Sequence, residues 1–368
     1  MGVSRQEQRK TNNRRKRRKI WLSLLAVILI IAGGAATYGA YLTGKIKHVT
    51  DQAKNELARG DKSDLREETI DPVKDNFSIL FIGIDKRKKE PSRSDALVLA
   101  TFHHDTREVK MVSIPRDSKV QIIDPTNTKQ YGWTKINHAH AYGDANKGMG
   151  PDYTISTIEH LFGIPVDYYV QVDFKAFVKI VDALGGVKMD VPAKLVTQNS
   201  KDQTGDQAIV LDPGVQNLNG EEALSLVRNR KSPGSGGDFG RGQRQMQLIE
   251  AIAKKSASLS SVTKYDNMID SLNGHFETNL TFGQLLSLRK YAGSLSHIDS
   301  LQLKGTDDMS TGTYYYTLDQ NYLKQVSTQL QDQLGVTPSV TGTSDTQSGT
   351  SSNSDTVNTH LNAASDND

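Results

Sequence analysis

Between Ile20 and Thr43 the chain carries no charged residue, reading IWLSLLAVILIIAGGAATYGAYLT. An α-helix of that length and character is what crossing the hydrocarbon core of a bilayer requires. Nine bases (Arg5, Arg9, Lys10, Arg14, Arg15, Lys16, Arg17, Arg18, Lys19) and one acid (Glu7) precede it, and only Lys45 and Lys47 follow closely. The positive-inside rule then puts residues 1–19 in the cytoplasm and residues 44–368 outside, a single-pass cell-membrane topology. A cleaved signal peptide is the competing reading. Its apolar region is shorter, however, and no A-x-A site ends this one.

Charge is divided unevenly. The net charge is +3, of which residues 1–19 contribute +8, so the rest of the chain stands at −5. The body is therefore not a broadly basic surface, which speaks against nucleic acid as a partner. Next to a membrane span, the basic tail is explained by orientation and by contact with anionic lipid. The chain has no cysteine. Disulfides, thiolate metal sites and cysteine nucleophiles are excluded.

The expected organisation is a basic tail (1–19), a transmembrane helix (20–43), a polar, helix-prone stalk (44–74), a folded domain (75–335) and a final segment (336–368). That last segment is rich in Ser, Thr, Asn and Asp. It has too little apolar surface to offset the entropy of ordering and is expected to be disordered.

Within the domain, SILFIGID (78–85) is an almost continuous apolar run ending in Asp85 and reads as a central strand covered on both faces. ALVLATF (96–102) and VKMVSI (109–114) flank a hairpin connection, and YYVQVDF (168–174) alternates as a strand does. Phe174, Phe177, Val178, Val181 and Leu184 recur at helical spacing before Gly185-Gly186, after which VKMDV (187–191) alternates again. GQRQMQLIEAIAKK (242–255) reads as a helix. Thr281 and Asp319 are candidate caps of two more, the last with Leu323, Val326, Leu330 and Leu334 inward. Strands mixed with helices, and hairpins beside crossovers, indicate a layered α/β domain with a mixed central sheet.

Three constellations carry chemistry. Asp85 follows a buried strand, and Arg93-Ser94-Asp95 lies a short loop away. Two carboxylates so joined suit Mg²⁺ (or Mn²⁺), which takes oxygen ligands and shares them with substrate phosphates; an ordinary solvated loop is the alternative. Ser113-Ile-Pro-Arg116-Asp117 also ends an apolar strand, and on its own could be a surface ion pair. Arg228-Asn-Arg230, a glycine-rich loop (232–240) and Arg241, Arg244 and Gln245 follow. The last three share a helix face in what reads as a first turn, where the dipole also favours anions. Arginine forks bind phosphate oxygens, so pyrophosphate is a natural partner. Asp238 would neutralise part of the cluster or orient one fork, and the competing reading is a helix face salt-bridged to acids elsewhere. P-loop, dinucleotide-binding, H-E-x-x-H and G-x-S-x-G motifs are absent. His138 and His140 read as groove-lining or structural, and Tyr314–Tyr316 as strand packing.

Taken in order, these motifs, with Lys135-Ile-Asn137, Asp167-Tyr-Tyr-Val-Gln-Val-Asp173-Phe and Val181-Asp-Ala-Leu-Gly-Gly-Val187, closely resemble the LytR–CpsA–Psr family of bacterial wall-glycopolymer ligases. The likeness is strong over residues 75–256. It implies a mixed-sheet α/β fold with an apolar groove for a prenyl chain. Arg87, Arg93, Arg116, Arg228, Arg230, Arg241 and Arg244 would surround a pyrophosphate, with Asp85 and Asp95 on Mg²⁺. The implied reaction moves a polyprenyl-pyrophosphate-linked anionic glycopolymer, of teichoic-acid or capsular type, onto peptidoglycan and releases polyprenyl phosphate. Arg116, Asp117, Asp238 and Gln245 are expected at the reacting centre, with Asp117 or Asp238 able to accept the hydroxyl proton. A lipid-pyrophosphate sensor without turnover, a pyrophosphatase, and a membrane-bound transcriptional attenuator are the alternatives. The expected topology speaks against the last.

Overall fold

The computed structural model describes residues 53–86, 91–127, 129, 131–257, 275–296 and 298–337, together with 41, 44 and 48. The basic tail, almost all of the expected span over 20–43, Arg87 and nearly all of the final segment lie outside the described residues. Among those described, no helix is long and apolar enough to cross a membrane.

The chain enters the domain through β1 (Phe77–Asp85), β2 (Arg93–Phe102) and β3 (Val109–Ser113). A short ribbon of β4 (Lys119–Gln121) and β5 (Trp133–Lys135) leads into α1 (His138–Ala145) and α2 (Gly150–Phe162). Then come β6 (Tyr168–Asp173), α3 (Phe174–Ala183), β7 (Val187–Val191), β8 (Leu195–Thr197), β9 (Ile209–Leu211) and β10 (Gly214–Leu218). Two helices follow, α4 (Gly220–Arg228) and α5 (Gly237–Ala257). Last are β11 (Phe276–Thr278), α6 (Phe282–Ser287), a 3₁₀ segment (Leu288–Ser296), β12 (Asp299–Gln302), β13 (Gly305–Asp308), β14 (Tyr315–Leu318) and α7 (Gln320–Leu334).

The main sheet has six strands in the order β11-β6-β1-β2-β3-β12. It is mixed, as the sequence implied: β1 pairs antiparallel to β2 and parallel to β6, and β3 runs antiparallel to β2 and parallel to β12. β1 is buried on both faces because both are covered. Leu80, Ile82, Leu97 and Leu99 meet Ile155, Ile158, Leu323, Val326 and Leu330 from α2 and α7. Phe77, Ile79, Val98 and Met111 meet Met246, Leu280 and Tyr291 on the other side. A smaller third core lies between α3, α4, α5 and the β7–β10 ribbons. VKMDV is therefore a strand, but it pairs with β10 outside the main sheet. Asp319 caps α7 through Asn321 N and Tyr322 N. Thr281 and Gln284 form the cap of α6.

Two expectations are corrected. From Ala53 on, the segment read as a stalk is docked on the domain. Leu57 is buried in the α2/α7 core, Arg59 pairs with Glu159 at 2.5 Å, and Arg66 grips Asp167 at 2.9 and 2.7 Å. A polar composition concealed this, since the partners lie about a hundred residues away in the chain. The long helix α5 begins at Gly237, five residues before the sequence suggested. Gly240 lets it start so close to the preceding loop: a Cβ there would stand 2.1 Å from the Ser235 carbonyl oxygen.

Candidate active site

Pairing directions bring the carboxyl ends of β1, β3, β6 and β12 to one edge of the sheet, together with the amino end of β2. Open α/β sheets receive ligands at such an edge. A cavity of about 650 Å³ opens there, lined by Asp85, Arg93, Asp95, Arg116, Asp117, Lys135, Asn137, His138, Arg230 and Tyr314, with Pro91 and Thr313.

Local structure explains the convergence. Asp85 and Arg93 are direct cross-strand partners, so their side chains share a face. Gly83 pairs with Ala96 and Ile84 with Ser94, which leaves Asp95 as the extra residue of a bulge. The bulge changes the parity of β2, so Leu97 and Leu99 face the core while Arg93 stays beside Asp85. Beyond β3, a turn closed by Ser118 N donating to Pro115 O presents Arg116 and Asp117. Ile136 N and Asn137 N donate to Ser118 O and Arg116 O, fastening the Lys135–His138 segment alongside. Tyr316 N donates to Asp117 O, and this brings up the β13–β14 hairpin with Tyr314.

The charges interlock. Arg116 Nη1 donates to Asp95 Oδ1 at 2.5 Å, and its Nε lies 3.5 Å from Asp117. Asp117 also meets Lys135 at 2.9 Å and Arg230 at 3.6 Å. Burial opposes ionisation of Asp117, but the Lys135 hydrogen bond and the Arg116 and Arg230 charges prevail and hold its carboxyl below the usual range. Burial likewise works against the Arg116 cation, and Asp95 and Asp117 more than restore it. His138 is shifted the other way: burial, then Arg93 and Lys135, lower its basicity.

The seven expected arginines part company. Arg93, Arg116 and Arg230 line the cavity. Arg241 stands behind it, 6% exposed and paired with Asp238 at 2.8 Å, while Asp238 also faces Arg230 at 3.6 Å. Arg228 is turned away from the cavity, pairing with Asp202 at 2.7 Å and lying over the Phe174 ring at 4.5 Å. Arg244 is 4% exposed, and its guanidinium donates to the carbonyl oxygens of Leu226 (2.9 Å), Ser235 (2.5 Å) and Asn229. Burial and the neighbouring Arg241 push its pKa down to about 10. In this structure Arg244 spends its guanidinium on three protein carbonyls, and Arg228 reaches Asp202 and the Asn199 carbonyl oxygen. Gln245 does not line the cavity, and Arg87 lies outside the described residues. His140 is structural, bonded to Ser92 O and Gln171.

Of the other lining residues, sequence patterning marks His138 only as groove-lining or structural and does not mark Lys135, Asn137 or Tyr314 as site residues. Lys135-Ile-Asn137 was visible as a motif, but nothing in it showed that the strand before α1 runs beside the Pro115–Ser118 turn.

The donors Asp85 and Asp95 suit a hard divalent cation, being oxygen-only and placed in a cavity that also offers phosphate-binding forks. Among the described residues, no group of three or more His, Asp or Glu side chains converges as a ready cage. Two carboxylates completed by substrate oxygens and water is the pattern Mg²⁺ favours.

A family model described as LytR_cpsA_psr matches residues 40–332. The polyisoprenyl-teichoic acid–peptidoglycan teichoic acid transferase TagT of Bacillus subtilis is 41% identical over 82% of this chain and 90% of its own length. TagU of the same organism is 34% identical over 82% and 91%. A solved structure of TagT bound to LIIa-WTA superposes with a TM-score of 0.64 at 41% identity, over 77% of this chain and 100% of that one. Another, of YwtF (TagT) with bound octaprenyl pyrophosphate lipid, gives 0.60 at 39% identity over the same shares.

Proposed function

Because this chain belongs to the LytR_cpsA_psr family, we propose that it is a membrane-anchored phosphotransferase that moves a polyprenyl-pyrophosphate-linked anionic glycopolymer of the teichoic-acid type onto peptidoglycan. The observation that carries this reading is the cavity at the carboxyl edge of the sheet, where four cations (Arg93, Arg116, Lys135, Arg230) face three carboxylates (Asp85, Asp95, Asp117). Such a mixture suits a substrate with two phosphates and a divalent cation. The similarity to transferases that act on such substrates, and to a structure holding octaprenyl pyrophosphate, supports it.

In this reading Arg93, Arg116 and Arg230 bind the pyrophosphate oxygens, and Arg241 keeps Asp238 and through it Arg230 in place. Asp85 and Asp95 would hold Mg²⁺ or Mn²⁺, which when bound neutralises phosphate charge and polarises a phosphoryl oxygen. Lys135 and Arg230 hold Asp117 ionised, and Asp117 in turn fixes Arg116. Phosphoryl transfer depends on positioning and charge stabilisation more than on covalent help from the protein, and this set supplies both. The acceptor hydroxyl oxygen bonds to the phosphorus nearest the glycan, and the bridging P–O bond breaks with its electron pair going to polyprenyl phosphate. The topology read from residues 1–43 would put the domain outside the cytoplasm.

The test uses the full-length chain in a membrane mimetic, with a lipid-linked glycopolymer donor and peptidoglycan fragments. Covalent polymer–peptidoglycan product is expected with Mg²⁺, and none after chelation or in the Asp85→Ala or Arg230→Ala proteins. Release of free glycopolymer phosphate without a peptidoglycan adduct would instead indicate hydrolysis. Full transfer by both variants would remove the site assignment.

A further inference from the structure

Resting on that reading, we propose that His138 is the general base that takes the proton from the acceptor hydroxyl. The cavity poses a problem of proton acceptance. Asp95 is engaged by Arg116 at 2.5 Å, and Asp117 by Lys135 at 2.9 Å with Arg116 and Arg230 close by. Asp117, held ionised by those cations, is a poor base, and an oxygen of Asp95 is taken by Arg116. Among the residues lining the cavity, His138 is the one imidazole.

Its surroundings prepare it. His138 opens α1, where the positive end of the helix opposes a charged ring. Nδ1 lies 2.8 Å from Thr134 Oγ1. With the ring proton on Nδ1 and donated to Thr134 Oγ1, the lone pair is on Nε2 of a ring that lines the cavity. Arg93 on β2 and Lys135 on β5 disfavour protonation, as does burial, while Asp117 beyond β3 favours it. An incoming pyrophosphate offsets Arg93 and Lys135, so the ring becomes more basic when the donor lipid is seated. Neighbouring Asn137, also lining the cavity, is 5% exposed and keeps its Oδ1 without a donor among the described residues. In the transfer step the acceptor O–H bond breaks, its oxygen bonds to phosphorus, polyprenyl phosphate departs with the electron pair, and the proton resides on Nε2 until it passes to water.

The experiment measures kcat and kcat/KM against pH for the wild-type full-length chain and for His138→Gln, with donor-lipid affinity and melting temperature as controls. Wild type is expected to lose activity on the acid side, with an inflection below the ordinary imidazole value in kcat/KM for the donor, which reports the free enzyme, and at a higher pH in kcat, which reports the donor-bound enzyme. A positioned base contributes about 10²–10⁴-fold. His138→Gln should lose a factor in that range, lose the acid limb, keep its donor affinity and melt normally. Added imidazole should restore part of the activity of His138→Gly, which a purely structural role would not allow. Wild type transferring normally while His138→Gln stays within about threefold, outside that range, with the acid limb intact, overturns the assignment alone. Wild type failing to transfer at any pH overturns the functional reading, and this assignment with it.

Discussion

Replacing Arg244 by leucine separates two roles that a sequence motif cannot tell apart. In the structure the guanidinium satisfies the Leu226 carbonyl, one of the last four of α4, and also those of Asn229 and Ser235. The last carbonyls of a helix have no partner within it. Arg244 thus caps α4, holds the extended turn that carries Arg230, and anchors the loop before α5. Leucine leaves three carbonyls without a donor, at about 1–3 kcal/mol each. It also removes a buried cation whose desolvation cost several kcal/mol. The two terms leave a net loss of about 3 kcal/mol. At about 2–4 °C per kcal/mol for a domain of this size, melting should fall by on the order of 10 °C. The assay is thermal unfolding followed by circular dichroism, run beside Arg230→Ala, which should melt like wild type and lose donor-lipid binding. If Arg244→Leu melted within about 2 °C of wild type, less than 1 kcal/mol on that scale, yet lost the lipid, the clamp would be disproved and the fork would belong to the ligand.

Other outcomes follow from the same geometry. Arg66→Ala strands the buried Asp167 carboxylate, whose side chain is 5% exposed, and should cost about 3–5 kcal/mol in chemical denaturation. Gly240→Ala drives a methyl group against Ser235 O and should cost about 1–3 kcal/mol by overpacking, read from the denaturation midpoint. Asp117 has a folded pKa below its unfolded value of 3.8. Its contribution is therefore complete above about pH 4 and is lost as pH falls through the folded value. Asp117→Asn should be less stable than wild type at pH 7, and the gap should close as acid titrates the wild-type group. Asp95→Ala should raise the Mg²⁺ concentration for half-maximal transfer by about tenfold or more, since even residues that only support metal ligands have effects of that size.

The parts of this molecule legible from sequence are those governed by short-range rules. The apolar run of β1, the alternation of β6, the cap at Asp319 and the four inward residues of α7 follow from periodicity and local hydrogen bonding. Asp85, Arg93, Asp95, Arg116, Asp117 and Arg230 could be singled out because they sit at strand ends or in a loop rich in glycine. Which way an arginine points is a tertiary matter. Arg228, Arg230 and Arg244 look alike in sequence, yet one meets Asp202, one meets the cavity and one meets three carbonyls. Groove-lining or structural was as far as His138 could be read, because the ribbon that places it in the cavity wall depends on hydrogen bonds from Ile136 and Asn137 to a turn twenty residues earlier. The docking of residues 53–76 likewise depends on partners about a hundred residues away.

That docking fixes how far the enzyme can reach. If the span ends at Thr43, as the sequence implies, only residues 44–52 separate the bilayer from the docked segment that begins at Ala53. Even at full extension a leash of those nine residues could span no more than about 30 Å, at about 3.3–3.6 Å per residue. The Arg66–Asp167 and Arg59–Glu159 fastenings deny it any further slack. With such an anchor the domain would stay close to the bilayer, a lipid donor would need to rise little to meet it, and a glycan strand would be reached only near the membrane. Proximity to newly made wall would then be selected by the length of a nine-residue tether.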